Sequence, residues 1–276
     1  MRGCISVVDV SGEKTTGSQP AVPCTALVMT ATITPPPGAP ELARRDPQVR
    51  LADYCEALRF YLSLSDSVLH KIVFLDNSDT DLSDLEEAAR TVEHHKRVEL
   101  ITFQGNDHPP EFGKGYGEFR LLDHGLSRST LLEPSDRVWK VTGRLRVLNL
   151  ERLILTAPTD YQIYADLRRV PLIGESLGGN NWMDLRVFSW ANGGYDTYLR
   201  DQYEHLGPEL LIAPEQYFFK VMRDAGAPGE VVPRFRVQPD VAGYGGRLNV
   251  DYKGGSYRYK NALRRGARRV APWLWL

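Results

Sequence analysis

Ile72-Val73-Phe74-Leu75-Asp76-Asn77-Ser78-Asp79 decides the fold class: an apolar run of strand length ends abruptly in acids and small hydrogen-bonding residues. Continuous Val/Ile/Leu runs mark parallel strands covered on both faces, and open α/β sheets bind ligands beyond the carboxyl ends of such strands. Asp76 then faces a ligand. The alternative is that Asp76 to Asp81 form a turn and cap the next helix, since Asp, Asn and Ser suit both roles.

Upstream, Ala26-Leu27-Val28-Met29-Thr30-Ala31-Thr32-Ile33 reads as a first buried strand, stopped by Pro35-Pro36-Pro37-Gly38. Asp46 caps a helix whose first position is Pro47, and Leu51, Cys55, Leu58 and Leu62 recur at helical spacing. Downstream, Leu82, Leu85, Ala89 and Val92 predict a second helix and Val98 to Phe103 a third strand. The alternation is βαβαβ, which favours a doubly wound sheet flanked by helices.

A polar, glycine-rich loop follows, with Pro109-Pro110 and Lys114-Gly115-Tyr116-Gly117-Glu118, before a helix through Phe119, Leu122, Leu126 and Leu131. Val138 to Val141 resumes a strand, broken by Thr142-Gly143-Arg144. Glycines allow close backbone approach to a ligand, and a neighbouring lysine can meet a phosphate. Each motif read singly is equally a loop with a helix start; neither has Walker spacing nor the dinucleotide glycine order.

Tyr161 to Arg168 and Trp182 to Phe188 read as further strands that share an Asp-Leu-Arg element at Asp166 and Asp184, with a turn from Gly174 to Asn181 making a small antiparallel extension. Both elements also suit ion-paired strand ends. Trp182 to Tyr203 offers either an aromatic platform or core, with Phe188 and Trp190 assigned to the core. Glu215, after Pro214, stands at a helix start as a first-turn acid or a catalytic carboxylate.

The 276 residues can bury a sizeable core and carry a formal net charge of -1, which supplies no general attraction to nucleic acid or an anionic membrane. Three cysteines without metal-ligand spacing point to a reducing compartment, hence the cytoplasm. No apolar run approaches the roughly 20 residues that span a bilayer. Residues 1–23 read as a weakly ordered leader, 24–240 as the catalytic domain, and 241–276 as a glycine/aromatic and basic tail packing on it. The closing Pro272-Trp273-Leu274-Trp275-Leu276 reads as a docked terminus, with peripheral proximity to the inner face of a membrane left open.

In their order along the chain, Thr30 to Pro35, Phe74 to Asp81, Lys114 to Glu118 and Lys140-Val141-Thr142-Gly143-Arg144 resemble bacterial GT-A-fold glycosyltransferases, particularly those of surface-polysaccharide and lipopolysaccharide biosynthesis. The resemblance implies a GT-A-like doubly wound mixed sheet and transfer of a sugar from a nucleotide-sugar donor to a glycan, lipid-linked or small-molecule acceptor. It implies donor binding by Thr32, Asp76, Asn77, Lys114, Gly115, Tyr116, Gly117, Lys140, Thr142, Gly143 and Arg144. Glu215 is the expected general base, with Asp184 in reserve. The family's Asp-x-Asp is absent from the fourth strand, where Thr142-Gly143-Arg144 stands. Either Arg144, with Lys114 or Lys140, replaces the metal at the diphosphate, or Asp166 binds Mg or Mn. Two other readings stay open: a sugar-phosphate nucleotidyltransferase, whose basic glycine-rich loop would follow the first strand, and a non-catalytic glycan-binding or scaffold protein on the same fold.

Overall fold

Side chains along Ala26–Met29 alternate between two cores, because successive strand residues point to opposite faces of a sheet. The computed structural model describes residues 4–8, 24–38, 42–169, 180–225, 229–245 and 266. The chain runs β1 (Cys4–Val8), β2 (Thr25–Ala31), α1 (Pro47–Leu62), β3 (Lys71–Asp76), α2 (Ser83–Arg90), β4 (Arg97–Thr102), α3 (Gly113–Arg128), β5 (Arg137–Thr142), β6 (Arg146–Val147) and α4 (Leu150–Leu155). It continues through β7 (Ile163–Tyr164), β8 (Leu167–Arg168), β9 (Trp182–Met183), β10 (Val187–Trp190), α5 (Gly194–Tyr198), α6 (Pro214–Ala225), β11 (Val231–Val232) and β12 (Val241–Ala242).

Eight strands form the main sheet in the order β1-β4-β3-β2-β5-β10-β7-β11. β2, β3, β4 and β5 are parallel, with Ala31 beside Asp76, Asp76 beside Thr102, and Thr30 beside Thr142 at their carboxyl ends. β1 and β10 run antiparallel to their neighbours. Two short antiparallel pairs, β12 with β6 and β8 with β9, complete the fold. This doubly wound mixed sheet with helices on both faces is consistent with the GT-A-like architecture that the resemblance implies.

One face carries Leu27, Met29, Phe74 and Trp139 against Tyr54 and Leu58 of α1 and Leu85 of α2. The other carries Val28, Val73 and Leu75 against Phe119 and Leu122 of α3 and Phe218 of α6. From β2 the chain moves outward to β3 and β4, then returns to β5 on the opposite side of β2. The order therefore reverses between β2 and β5, and open α/β sheets bind ligands at the carboxyl ends of strands at such a reversal.

Asp46 caps α1 as its sequence predicts: its carboxylate accepts from Gln48 N at 2.8 Å, with Pro47 in the first turn. The segment read as a glycine-rich loop is helical instead. α3 begins at Gly113, so Lys114 to Glu118 form its first turns. Helix hydrogen bonding outweighs the low propensity of three closely spaced glycines once Phe119 and Leu122 bury one face. Cys4–Val8, within the segment read as a leader, forms the edge strand β1. The rest of that leader, residues 174–179 of the expected turn, and nearly all of the basic and Trp/Leu end lie outside the described residues.

Candidate functional site at the strand carboxyl ends

Asp76, the last residue of β3, is wholly buried, and its carboxylate is a bolt between loops. It accepts from Ile33 N at 2.8 Å, Ser78 N at 2.9 Å, and the hydroxyls of Ser78 at 2.8 Å and Thr102 at 2.9 Å. Burial pushes its pKa up, and these hydrogen bonds only partly oppose the shift. Where the sequence predicts a ligand contact, protein donors take both oxygens, because neighbouring strand ends converge on Asp76.

Thr32 and Asn77 lie beside this bolt, with Thr32 Oγ1 donating to Asn77 Oδ1 at 2.7 Å. Thr32 is held by its backbone as well. Its N–H donates to the Tyr54 hydroxyl at 3.1 Å, and its carbonyl accepts from Arg50 Nε at 2.8 Å.

Where α3 packs on β2 and β5 stands a largely buried polar cluster. Lys140 of β5 is fully buried, and its ammonium donates to Glu118 Oε1 and to the Leu185 carbonyl at 2.7 Å. Glu118 Oε1 also accepts from Thr30 Oγ1 at 2.8 Å. The ammonium expected at the donor phosphate is thus held by internal partners, with Thr142 Oγ1 a further one at 3.5 Å. Lys114 is exposed on the first turn of α3.

Glu215, in the first turn of α6, enters the same neighbourhood. Its side chain is half-buried, and among the described residues no other residue donates a hydrogen bond to it. Burial raises its pKa; the charges of Glu118 and Asp184 add to the rise, while its own backbone N–H and Lys140 oppose it. The fold thus brings Asp184, Lys140 and Glu118, a residue to which the sequence alone assigns no role, into the electrostatic reach of Glu215.

Asp184 does not fit its reserve role as base. It accepts from Arg186 Nε at 2.8 Å and from Arg168 Nη2 at 2.8 Å. Burial alone would raise its pKa, but Arg186 and Arg168 hold it well below the usual carboxylate range. A carboxylate held so firmly ionised is a poor proton acceptor. The Asp-Leu-Arg echo is therefore an ion-paired motif: β8 and β9 pair antiparallel, and both arginines converge on one aspartate.

Gly143 donates its N–H to the Thr30 carbonyl at 2.8 Å, and a Cβ there would lie 2.8 Å from that oxygen. Its missing side chain admits the neighbouring strand. Thr142 donates its N–H to the Arg186 carbonyl at 3.0 Å. Arg144 Nε donates to the Tyr244 carbonyl at 3.0 Å, and Arg44 lies over the Tyr244 ring at 4.6 Å. Tyr244 thereby bridges the loops that follow β2 and β5. Gly115 and Gly117 are buried within α3; Gly117 lies against His108, and Gly115 against Pro214. Tyr116 packs edge-on to Phe112 and Tyr203. Phe188 and Trp190 are core residues as expected, and Tyr195 and Tyr198 are buried with them, which leaves no extended aromatic platform along that segment.

A divalent Mg or Mn needs several hard oxygen ligands. Among the described residues no three His, Cys, Asp or Glu side chains gather as a ligand set. Asp184, whose N–H donates to the Asp166 carbonyl, already has its oxygens on arginine. Among the described residues, those around Asp166 do not fit a metal seat. No described helix is long and apolar enough to cross a membrane.

No family model matches the chain, and no curated relative matches it. Solved structures similar to it include the galactosyltransferase LgtC in complex with donor and acceptor sugar analogs, 10% identical over 72% of this chain and 70% of that one, with a TM-score of 0.44. The inositol-1-phosphate CTP transferase from T. maritima is 13% identical over 88% of this chain and 97% of that one, TM-score 0.46. The UDP-glucose pyrophosphorylase from Acinetobacter baumanii is 11% identical over 90% and 95%, TM-score 0.43. Similarity at that level assigns no activity, because one fold hosts many reactions.

Proposed function

We propose that the chain is a glycosyltransferase that moves a sugar from a nucleotide-sugar donor to the hydroxyl of a glycan, lipid-linked or small-molecule acceptor, in the cytoplasm and in surface-polysaccharide assembly. Glu215 carries this reading. A carboxylate with a raised pKa and, among the described residues, no hydrogen bond from another residue, close to a cluster at the strand-order reversal, is suited to take a proton from an acceptor.

In this reading the acceptor oxygen attacks the anomeric carbon as its proton passes to Glu215. The bond from that carbon to the diphosphate breaks, and the bonding pair leaves with the nucleoside diphosphate. Arg144 and the exposed Lys114 meet the growing negative charge; the arginine's planar fork suits phosphate oxygens. Thr32 and Asn77, locked together by their hydrogen bond, form the nucleoside seat. The proline-rich stretch Thr34 to Pro40 contains no Lys or Arg, which argues against nucleotidyl transfer at that loop.

A panel of UDP-, GDP-, CDP- and dTDP-sugars, each with EDTA and with manganese, tests the proposal by the product released. Nucleoside diphosphate formation in EDTA is the expected result. Pyrophosphate formation from a nucleoside triphosphate and a sugar phosphate would replace the reading with nucleotidyl transfer. Absence of turnover and of any thermal stabilisation by the four nucleoside diphosphates would leave a binding or scaffold protein; a ligand at about 100 times its Kd adds about 2.7 kcal/mol, enough to detect.

A further inference from the structure

We propose that Gly115 and Glu118, one turn apart on α3, are positioning residues that seat Glu215: Gly115 by letting the start of α6 dock, and Glu118 by fixing a negative charge beside it. The proposal rests on the catalytic reading of Glu215 for its consequence, though not for its geometry.

Residues three apart lie on one helix face. On that face of α3, a Cβ at Gly115 would lie 2.5 Å from Pro214 Cγ and 2.8 Å from Pro214 Cβ, closer than nonbonded carbons approach. Pro214 opens α6, and Glu215 follows it directly. The missing side chain therefore sets the separation between α3 and the residue next to Glu215.

One turn along, Glu118 cannot swing away. Its Oε1 is tied to Lys140 of β5 and to Thr30 of β2, two adjacent strands of the sheet. The charged groups that act on Glu215 are Glu118 from α3, Asp184 from the turn between β9 and β10, and Lys140 from β5. Asp184 is pinned by Arg168 and Arg186, and Lys140 is buried, so all three hold fixed places. Their net action, added to burial, increases the proton affinity of Glu215. A base placed on a mobile loop would lack this fixed electrostatic surround.

The test reads Glu215 directly. In the full chain labelled with ¹³C at glutamate Cδ, its resonance is assigned by its loss in Glu215→Gln and followed through a pH titration. Glu118→Gln keeps an acceptor for Lys140 and Thr30 but removes the like charge, so the titration midpoint moves to lower pH. Gly115→Ala displaces Pro214, so the resonance and its midpoint change, and turnover of the nucleotide sugar found in the panel falls about tenfold or more. Pro214→Ala, which removes the Cγ atom at the 2.5 Å contact, recovers part of that loss in the Gly115→Ala chain. An unchanged Glu215 titration in both variants would overturn the proposal. Full turnover by Glu215→Gln would sink the catalytic reading instead, and a shifted titration would still support the seat.

Discussion

Glu118 Oε1 on α3 accepts from both Lys140 Nζ on β5 and Thr30 Oγ1 on β2, so one carboxylate oxygen joins a helix to two parallel strands at the sheet's reversal point. The lysine is completely buried, and the glutamate side chain is one-quarter exposed. Charge pairs of this kind are costly to break from one side, because the remaining charge is left without compensation.

Lys140→Ala is therefore expected to destabilise the chain by about 3–5 kcal/mol, and the paired change Lys140→Met with Glu118→Gln by clearly less. Urea denaturation of the two variants measures the difference. Equal losses would mean that the cost comes from packing and not from the stranded carboxylate.

Asp184 gives the chain an acid-sensitive element. Its folded-state pKa lies below the ordinary value, so its stabilising contribution is fully present above the ordinary carboxylate range and is lost as pH falls through and below it. Asp184→Asn should cost about 1.5–3 kcal/mol near neutral pH, the scale of hydrogen bonds to a charged group, and should flatten the loss of stability as pH falls below about 4. Urea midpoints at neutral pH and across that fall check both effects; a slope equal to that of the unaltered chain would contradict the assignment.

As the proposed base, Glu215 carries the opposite pKa shift, and its effect is seen in rate. Its pKa is raised, and a base works only when ionised, so kcat should fall on the acid side at a pH above the usual glutamate range. Glu215→Gln should lower kcat by about 10²- to 10⁴-fold and abolish that acid limb. A residual limb in the glutamine variant would point to a different titrating group.

Arg144 is held at Nε by the Tyr244 carbonyl, which fixes the orientation of its guanidinium. Arg144→Ala is expected to weaken nucleoside diphosphate binding about 10- to 100-fold, the range of a charge-assisted hydrogen bond of about 1.5–3 kcal/mol, and to leave binding of the free nucleoside unchanged. Arg144→Lys keeps the charge but loses the fork, so it should recover only part of the affinity. Isothermal titration with nucleoside and nucleoside diphosphate separates these outcomes; equal weakening for both ligands would remove Arg144 from the phosphate site.

The βαβαβ order, the buried strands through Val28 and Val73, and the start of α1 at Asp46 and Pro47 were legible in the chain, because apolar periodicity and capping act over a few residues. The helical state of Lys114 to Glu118 was not. Its glycines read as loop formers until Leu206, Pro214 and His108 filled the space where their side chains would stand. The Asp-Leu-Arg echo could be seen as a repeat, but nothing local told which acid the two arginines would share.

The sequence by itself determined the strands and helices of the central βαβαβ run, their apolar faces, and that acids and bases collect where strands end. Only the tertiary structure decided who meets whom: β10 inserted between β5 and β7, Lys140 joined to Glu118 across 22 residues, and Gly115 laid against Pro214. The physical reason is that backbone hydrogen bonding and apolar spacing are encoded locally, whereas partners for buried charges follow from strand order and helix docking. Asp76 illustrates both levels. Its place at a strand end was readable from Ile72 to Ser78, but its burial came from Ile33 and Thr102, which two neighbouring strands bring to its carboxylate.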